Sequence, residues 1–128
     1  MTDPCLRVVL ADDHTMVREA LARVLEESPS ISVVAQARNG PQALDLIAEH
    51  AVDVAILDYS MPGMEAPVVI ERALRIRPDL KTLVLTVHEN IHYAVRVLEA
   101  GAHGYVIKSA AVDELVAALH AVHRGETY

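Results

Sequence analysis

The chain contains no tryptophan and no phenylalanine, and its four tyrosines are the only aromatic residues. Whatever core it builds must therefore be aliphatic, drawn from the Val, Leu, Ile and Ala that dominate an apolar fraction of 52%. A single cysteine, Cys5, excludes a disulfide framework and a cysteine-based zinc site, and points to a reducing compartment. No apolar run approaches the ~20 residues of a membrane helix, and no basic segment precedes an apolar one at the N-terminus, so the sequence reads as soluble, cytoplasmic and without a membrane partner. Basic residues are also in short supply: 11 Lys and Arg against 18 Asp and Glu leave a formal charge of −7. That balance argues against a nucleic-acid surface on this chain alone. The apolar content is nevertheless ample for a folded domain, and 128 residues suit one domain spanning 1–128.

Short apolar runs alternate with segments of helical period. Five runs read as strands: Leu6–Ala11, Ile31–Ala37, Val54–Leu57, Lys81–Thr86 and His103–Ile107. Each is followed by apolar residues three or four apart. Val17, Ala20, Leu21, Val24 and Leu25 make the first such set, ended by Ser28-Pro29, and Ala43, Leu44, Ile47 and Ala48 make the second. The third runs from about Pro67 to Arg77. The fourth carries Ile91, Ala94, Val95 and Leu98 and closes at Gly101, and the fifth carries Val112, Leu115, Val116, Leu119 and Val122 before Arg124-Gly125. Strands that are apolar throughout are buried on both faces, and successive β-α units join parallel strands by right-handed crossovers. The expected fold is an α/β doubly wound, five-stranded parallel sheet flanked by five helices. Five units leave the sheet open rather than closed into a barrel.

Ligands of open α/β sheets bind at the carboxyl ends of the strands, next to the point where strand order reverses. Those ends carry Asp12 and Asp13, Asp58, Thr86 and Lys108. In a sheet ordered 2-1-3-4-5 the first and third strands are neighbours, which brings three carboxylates together. Carboxylates so placed repel one another unless a cation lies between them, and oxygen-only ligands with no His or Cys suit Mg²⁺. Adding Lys108 gives an arrangement for handling a phosphoryl group with a carboxylate as acceptor. Taken singly, each residue has a plainer reading: Asp12 or Asp13 as the cap of the first helix, Asp58 as a turn residue, Thr86 as a strand residue, Lys108 as a solvated charge. Convergence of four strand ends on one chemistry favours the site.

Several segments together carry a family resemblance: Val-Leu-Ala-Asp12-Asp13-His14 with Arg18 following, Asp58-Tyr-Ser-Met61-Pro62-Gly63, Leu-Thr86, and Ala100-Gly101-Ala-His-Gly104-Tyr105-Val-Ile-Lys108. The chain resembles the receiver domain of two-component response regulators, most closely the NarL/FixJ (LuxR-type) subfamily, over nearly its whole length. The resemblance implies that Asp58 is the phosphoacceptor and that Asp12, Asp13, Asp58 and the Ser60 backbone carbonyl hold Mg²⁺. It implies Thr86 as the switch hydroxyl, Tyr105 as the switch aromatic and Lys108 as the phosphoryl-binding cation. Ser60, Val87 and His88 would tune dephosphorylation. The implied phosphoryl donor is a sensor histidine kinase, and two copies can pair as a homodimer on phosphorylation. DNA would be reached only through a C-terminal helix-turn-helix domain that this chain lacks, and the expected role is a phosphoacceptor switch rather than an enzyme. Two departures stand out. Ala66 occupies a position where many relatives have Gly, which points to a different loop path with Gly63 supplying freedom, and Ser109 follows Lys108 where many have Pro, which favours a trans bond there.

Competing enzyme readings are weaker. His88-Glu89-Asn90-Ile91-His92 matches a zinc protease pattern, but that chemistry needs both histidines on one helix face, and the first falls two residues past a strand end. An aspartyl phosphatase of the haloacid-dehalogenase kind needs a second Asp two residues after the nucleophile, where this chain has Ser60. A nucleotide-binding module would need a glycine-rich loop after the first strand. His120 and His123 lie three apart on the last helix and, without further ligands, read as partly exposed surface residues.

Overall fold

The computed structural model describes residues 5–61, 63–87 and 91–128. Its elements, in chain order, are β1 (Leu6–Ala11), α1 (Thr15–Glu26), β2 (Ile31–Ala37), α2 (Gly40–Glu49), β3 (Val54–Asp58), α3 (Ala66–Ile76), β4 (Lys81–Thr86), α4 (Ile91–Glu99), β5 (Gly104–Ile107) and α5 (Ala111–His123), with a 3₁₀ turn at Lys108–Ala110. All pairings are parallel and the strand order is β2-β1-β3-β4-β5. The expected architecture holds. Boundaries shift slightly: Asp58 is the last residue of β3 rather than the first beyond it, and β5 starts at Gly104 rather than His103. Pro67 lies inside the first turn of α3, which ends at Ile76 instead of Arg77.

Alternation along the strands splits the aliphatic core in two. Val8, Leu10, Val54, Ile56, Leu83, Leu85 and Val106 pack with Leu21 and Leu25 of α1 and Leu115 and Leu119 of α5. On the opposite face Val9, Ala11, Ala55, Leu57 and Val84 pack with residues of α2, α3 and α4, among them Ile47, Ile70 and Val97. The three inner strands β1, β3 and β4 are buried almost without interruption, which is why their sequences show no polar alternation.

Helix ends follow local chemistry. The Asn39 side chain accepts the Gln42 N–H at 2.8 Å, and the Gln42 side chain accepts the Arg38 N–H at 2.7 Å, a reciprocal cap that opens α2. After α4, the Ala102 N–H reaches the Val97 carbonyl and the Gly101 N–H the Leu98 carbonyl, with Gly101 at φ +113°. Gly63, at φ +81°, turns the loop after β3 as the Ala66 substitution implied, and Ala66 itself is fully buried at the start of α3. Among the described residues no peptide bond is cis, so the Lys108–Ser109 bond is trans as expected.

The two glycines separate two effects. A Cβ at Gly101 would sit 2.6 Å from Leu74 Cδ1, while one at Gly63 would meet nothing within 4 Å. Gly63→Ala should cost about 1–2 kcal/mol, the left-handed conformation alone, and Gly101→Ala about 1–3 kcal/mol more through overpacking. Urea unfolding midpoints measure both, and equal losses would mean that Leu74 simply yields.

Candidate functional site

The same alternation that sorts the core also aims the polar groups. Continuing Val8 and Leu10 by two residues reaches Asp12, continuing Val54 and Ile56 reaches Asp58, and continuing Val106 reaches Lys108, so all three leave the carboxyl edge on one side of the sheet. Lys108 spans the width of β3 and β4 to meet the carboxylates. Its Nζ lies 2.8 Å from Asp12 Oδ2 and 3.3 Å from Asp58 Oδ2. Both acids are buried, Asp12 completely.

The turn after β1 is tied down from two directions. Asp12 Oδ1 accepts the His14 backbone N–H at 2.9 Å, and the buried Arg18 guanidinium donates to the Asp12 carbonyl at 2.9 Å and to Gln36 Oε1 at 3.1 Å. Neither aspartate is the N-cap of α1: that position is His14, whose side chain makes no capping bond. The plainer reading of Asp12 or Asp13 as a helix cap therefore fails, because the helix starts one residue later than such a cap requires. Asp13 is half-buried, and its Oδ1 is buried with no hydrogen-bond donor among the described residues. The His14 ring is exposed, with Nδ1 3.4 Å from Asp12 Oδ1 and 3.3 Å from Asp13 Oδ1.

Burial pushes the Asp58 carboxyl up to about 6, and the neighbouring Asp12 charge pushes the same way, more than Lys108 can reverse. Burial opposes the Lys108 ammonium, but its hydrogen bond to Asp12 and the charges of Asp58 and Asp12 prevail, so its pKa is raised. Ligand atoms of Asp12, Asp13, His14 and Asp58 all lie within 4.8 Å of one another. Three carboxylates against one ammonium, with a buried Asp13 oxygen lacking a donor, make a pocket that fits a hard dication.

The other expected residues surround this pocket at differing depths. Thr86 is buried at the end of β4, and Tyr105, half-buried on β5, pairs in register with Val84, which puts the two side chains on the α3–α4 side of the sheet. Exposed Ser60 lines a cleft of about 450 Å³ with Asp13, Tyr59, Glu65, Tyr93 and Arg96. Val87 is exposed directly after Thr86, and His88 lies outside the described residues. For the zinc pattern this leaves only His92, exposed on α4. His120 is half-buried with Nε2 3.2 Å from Ser30 Oγ, and His123 is exposed, so both lie at the surface as expected.

Two features escape the sequence. Arg18 is legible as part of a motif but not as the clamp on the Asp12 carbonyl. Tyr93 stacks edge-to-face on Tyr59, with ring centroids 4.9 Å apart and planes at 88°, and Arg96 pairs with Glu65 at 3.6 Å, so α4 rests on the loop after β3. The spacing of Tyr93 and Val97 along one helix face was the available signal for the first of these contacts.

An open parallel sheet with a lysine-bridged carboxylate pocket at its reversal point defines a receiver-type domain. The family model of the response regulator receiver domain matches residues 8–120, and the chain belongs to this family. It is 37% identical over 124 residues to the oxygen regulatory protein NreC of Staphylococcus epidermidis, covering 96% of this chain and 57% of NreC. The response regulator UvrY of Escherichia coli is 38% identical over 123 residues, covering 96% of this chain and 56% of UvrY. The signal receiver domain of NarL from Mycobacterium tuberculosis superposes with a TM-score of 0.90 at 36% identity, over 97% of this chain and all of that one. These relatives are regulators of the NarL/LuxR type, and this chain spans a little over half the length of NreC and UvrY. Receiver domains are phosphoacceptor switches and generally bind Mg²⁺ at an acidic pocket.

A raised Asp58 pKa has a sign consequence for stability. Between its ordinary value of 3.8 and about 6 the folded chain holds a proton that the unfolded chain has lost, so stability falls as pH rises through that window. Asp58→Asn removes the penalty. Without divalent cations it should stabilise the chain at pH 7 by on the order of 2 kcal/mol, with the gain fading toward pH 4. Thermal unfolding followed by circular dichroism at stepped pH is the measurement; parallel curves for the two proteins would place the Asp58 pKa at its ordinary value.

Proposed function

We propose that the chain takes a phosphoryl group onto Asp58 from the phosphohistidine of a sensor histidine kinase, with Mg²⁺ held by Asp12, Asp13, Asp58 and the Ser60 backbone carbonyl. The observation that carries this reading is Lys108 seated between Asp12 and Asp58, a fixed positive charge beside a buried carboxylate at the rim. When bound, the ion supplies charge neutralisation to the carboxylates and to the phosphoryl oxygens. Asp58 supplies the nucleophilic oxygen: a bond forms from it to phosphorus, the bond from phosphorus to the kinase imidazole breaks, and the imidazole leaves with the electron pair. Lys108, already charged, needs no reorganisation to receive a phosphoryl oxygen. Water later cleaves the acyl phosphate, and Ser60, Val87 and His88 set its access. The chain assists its own phosphorylation and dephosphorylation and turns over no other substrate.

A phosphoryl group brings three acceptor oxygens to the rim. A dication held by the carboxylates would neutralise part of their charge, Lys108 would receive one oxygen, and another would accept a hydrogen bond from the Thr86 hydroxyl. Thr86 moves toward the group, and the ring of Tyr105, on the same face of the sheet, follows into the space it leaves. The surface of α4, β5 and α5 changes with them, and the output is a C-terminal helix-turn-helix domain of a longer cytoplasmic transcription regulator, through a homodimer formed on phosphorylation. The −7 charge of the receiver agrees with DNA contact lying on that other domain.

Incubation with Mg²⁺ and acetyl phosphate should add the mass of one phosphoryl group to the wild-type chain and none to Asp58→Asn, since an amide oxygen is too poor a nucleophile. Mass appearing on another residue would overturn the assignment. Thr86→Ala should accept the group at a similar level but lose most of the phosphorylation-dependent amide shifts at Tyr105 and residues 91–100, because it lacks the one bond through which the group favours the second state. A full wild-type NMR response in that variant would sever Thr86 from the switch.

A further inference from the structure

His14 has no part in the phosphoryl chemistry above, yet it stands at the same pocket. Its backbone N–H is held by Asp12 Oδ1 at 2.9 Å, and this places its ring Nδ1 3.4 Å from that oxygen and 3.3 Å from Asp13 Oδ1. Lys108 engages Asp12 through the other oxygen, Oδ2, at 2.8 Å. The ammonium and the imidazole thus divide one carboxylate between them and do not compete for space. An imidazole nitrogen facing two carboxylate oxygens is accommodated either by a proton on Nδ1, as in the neutral Nδ1–H tautomer, or by a metal ion between the three atoms. Asp13 Oδ1 is buried, and apart from this ring nitrogen no described residue offers it a hydrogen bond. The side chain itself is 67% exposed.

Ligand type decides which ion such a site takes. Mg²⁺ is hard and keeps oxygen ligands and water, whereas imidazole nitrogen favours Ni²⁺, Cu²⁺ and Zn²⁺, which also stand higher in intrinsic affinity. We propose that His14 is a nitrogen ligand at the carboxylate pocket and makes it a site for a borderline transition-metal dication of the Ni²⁺ class, in competition with Mg²⁺. The inference rests on the Mg²⁺ reading of the same pocket. Its consequence is a receiver whose acceptor carboxylate can be occupied by a metal that exchanges its ligands differently from the one phosphoryl transfer requires.

Calorimetric titration of the full chain with NiCl₂, and separately with MgCl₂, tests this in wild type, His14→Ala and His14→Gln. The comparison is repeated in a His120→Gln, His123→Gln background, which removes the histidine pair on α5 from all three. The Ni²⁺ affinity should fall at least about tenfold in both His14 variants, as loss of a ligand contact implies, while Mg²⁺ affinity stays within about twofold. Excess Mg²⁺ should displace Ni²⁺ from the wild type, and ZnCl₂ should shift the His14 Nδ1 resonance in ¹⁵N NMR while leaving Nε2 near its free position. Unchanged Ni²⁺ affinity in the variants overturns the proposal, as does an equal loss for both metals, or bound Ni²⁺ that Mg²⁺ cannot displace. Absence of Mg²⁺ binding in the wild type overturns the Mg²⁺ reading instead, and the nickel and zinc data still decide for or against His14.

Discussion

Everything at the carboxyl edge depends on one ammonium group. Asp12 and Asp58 are brought together by neighbouring strands and lie almost wholly out of water, where two negative charges repel strongly. Lys108 touches both, and it is the only cation shown doing so among the described residues. Its partial compensation is the useful state: Asp58 keeps a raised pKa despite the contact, so the pocket retains an unmet demand for positive charge. A pocket fully neutralised by side chains would have little affinity for a dication, and one without Lys108 would be hard to fold.

The geometry of that edge follows from alternation in strands that have almost no polar residues to reveal it. In β1, β3 and β5 the side chains before the site are packed against α1 and α5, so the residues two further on must emerge on that side. Thr86 and Tyr105 have the opposite parity and face the helices α3 and α4. The lysine-bridged carboxylates and the Thr86–Tyr105 pair therefore sit on opposite faces of one sheet, joined at the carboxyl ends of β4 and β5.

Strand and helix positions were legible because aliphatic runs and 3.6-residue periods are local properties, and Ser28-Pro29 and Gly101 mark ends by rules that act within a few residues. The strand-end carboxylates and Lys108 were legible once the sheet order was assumed. What sequence could not supply were contacts between residues distant in the chain: the Arg18 clamp on Asp12, the Tyr93 ring on Tyr59, and the Nδ1 of His14 beside two carboxylates. The one-residue shifts at Asp58 and His103 have a similar origin, since a strand's last residue is decided by whether its neighbour still pairs with it. Asp58 does, opposite Leu85, and the Tyr59 N–H continues to the Leu85 carbonyl at 2.7 Å.

Tyr59 turns to the far face from Asp58 because it is the next residue in an extended chain, and there it meets Tyr93 edge to plane. With no tryptophan or phenylalanine in the chain, near-ultraviolet optical activity can come only from tyrosines. Tyr128 is largely exposed at the C-terminus and contributes weakly, while coupling between two rings 4.9 Å apart and at right angles is strong and steeply dependent on their separation. The near-ultraviolet spectrum of this protein therefore carries, beside the half-buried Tyr105, a contribution set by how α4 sits against the β3–α3 loop, an unlabelled optical gauge of the helix that rests on the segment just past Asp58.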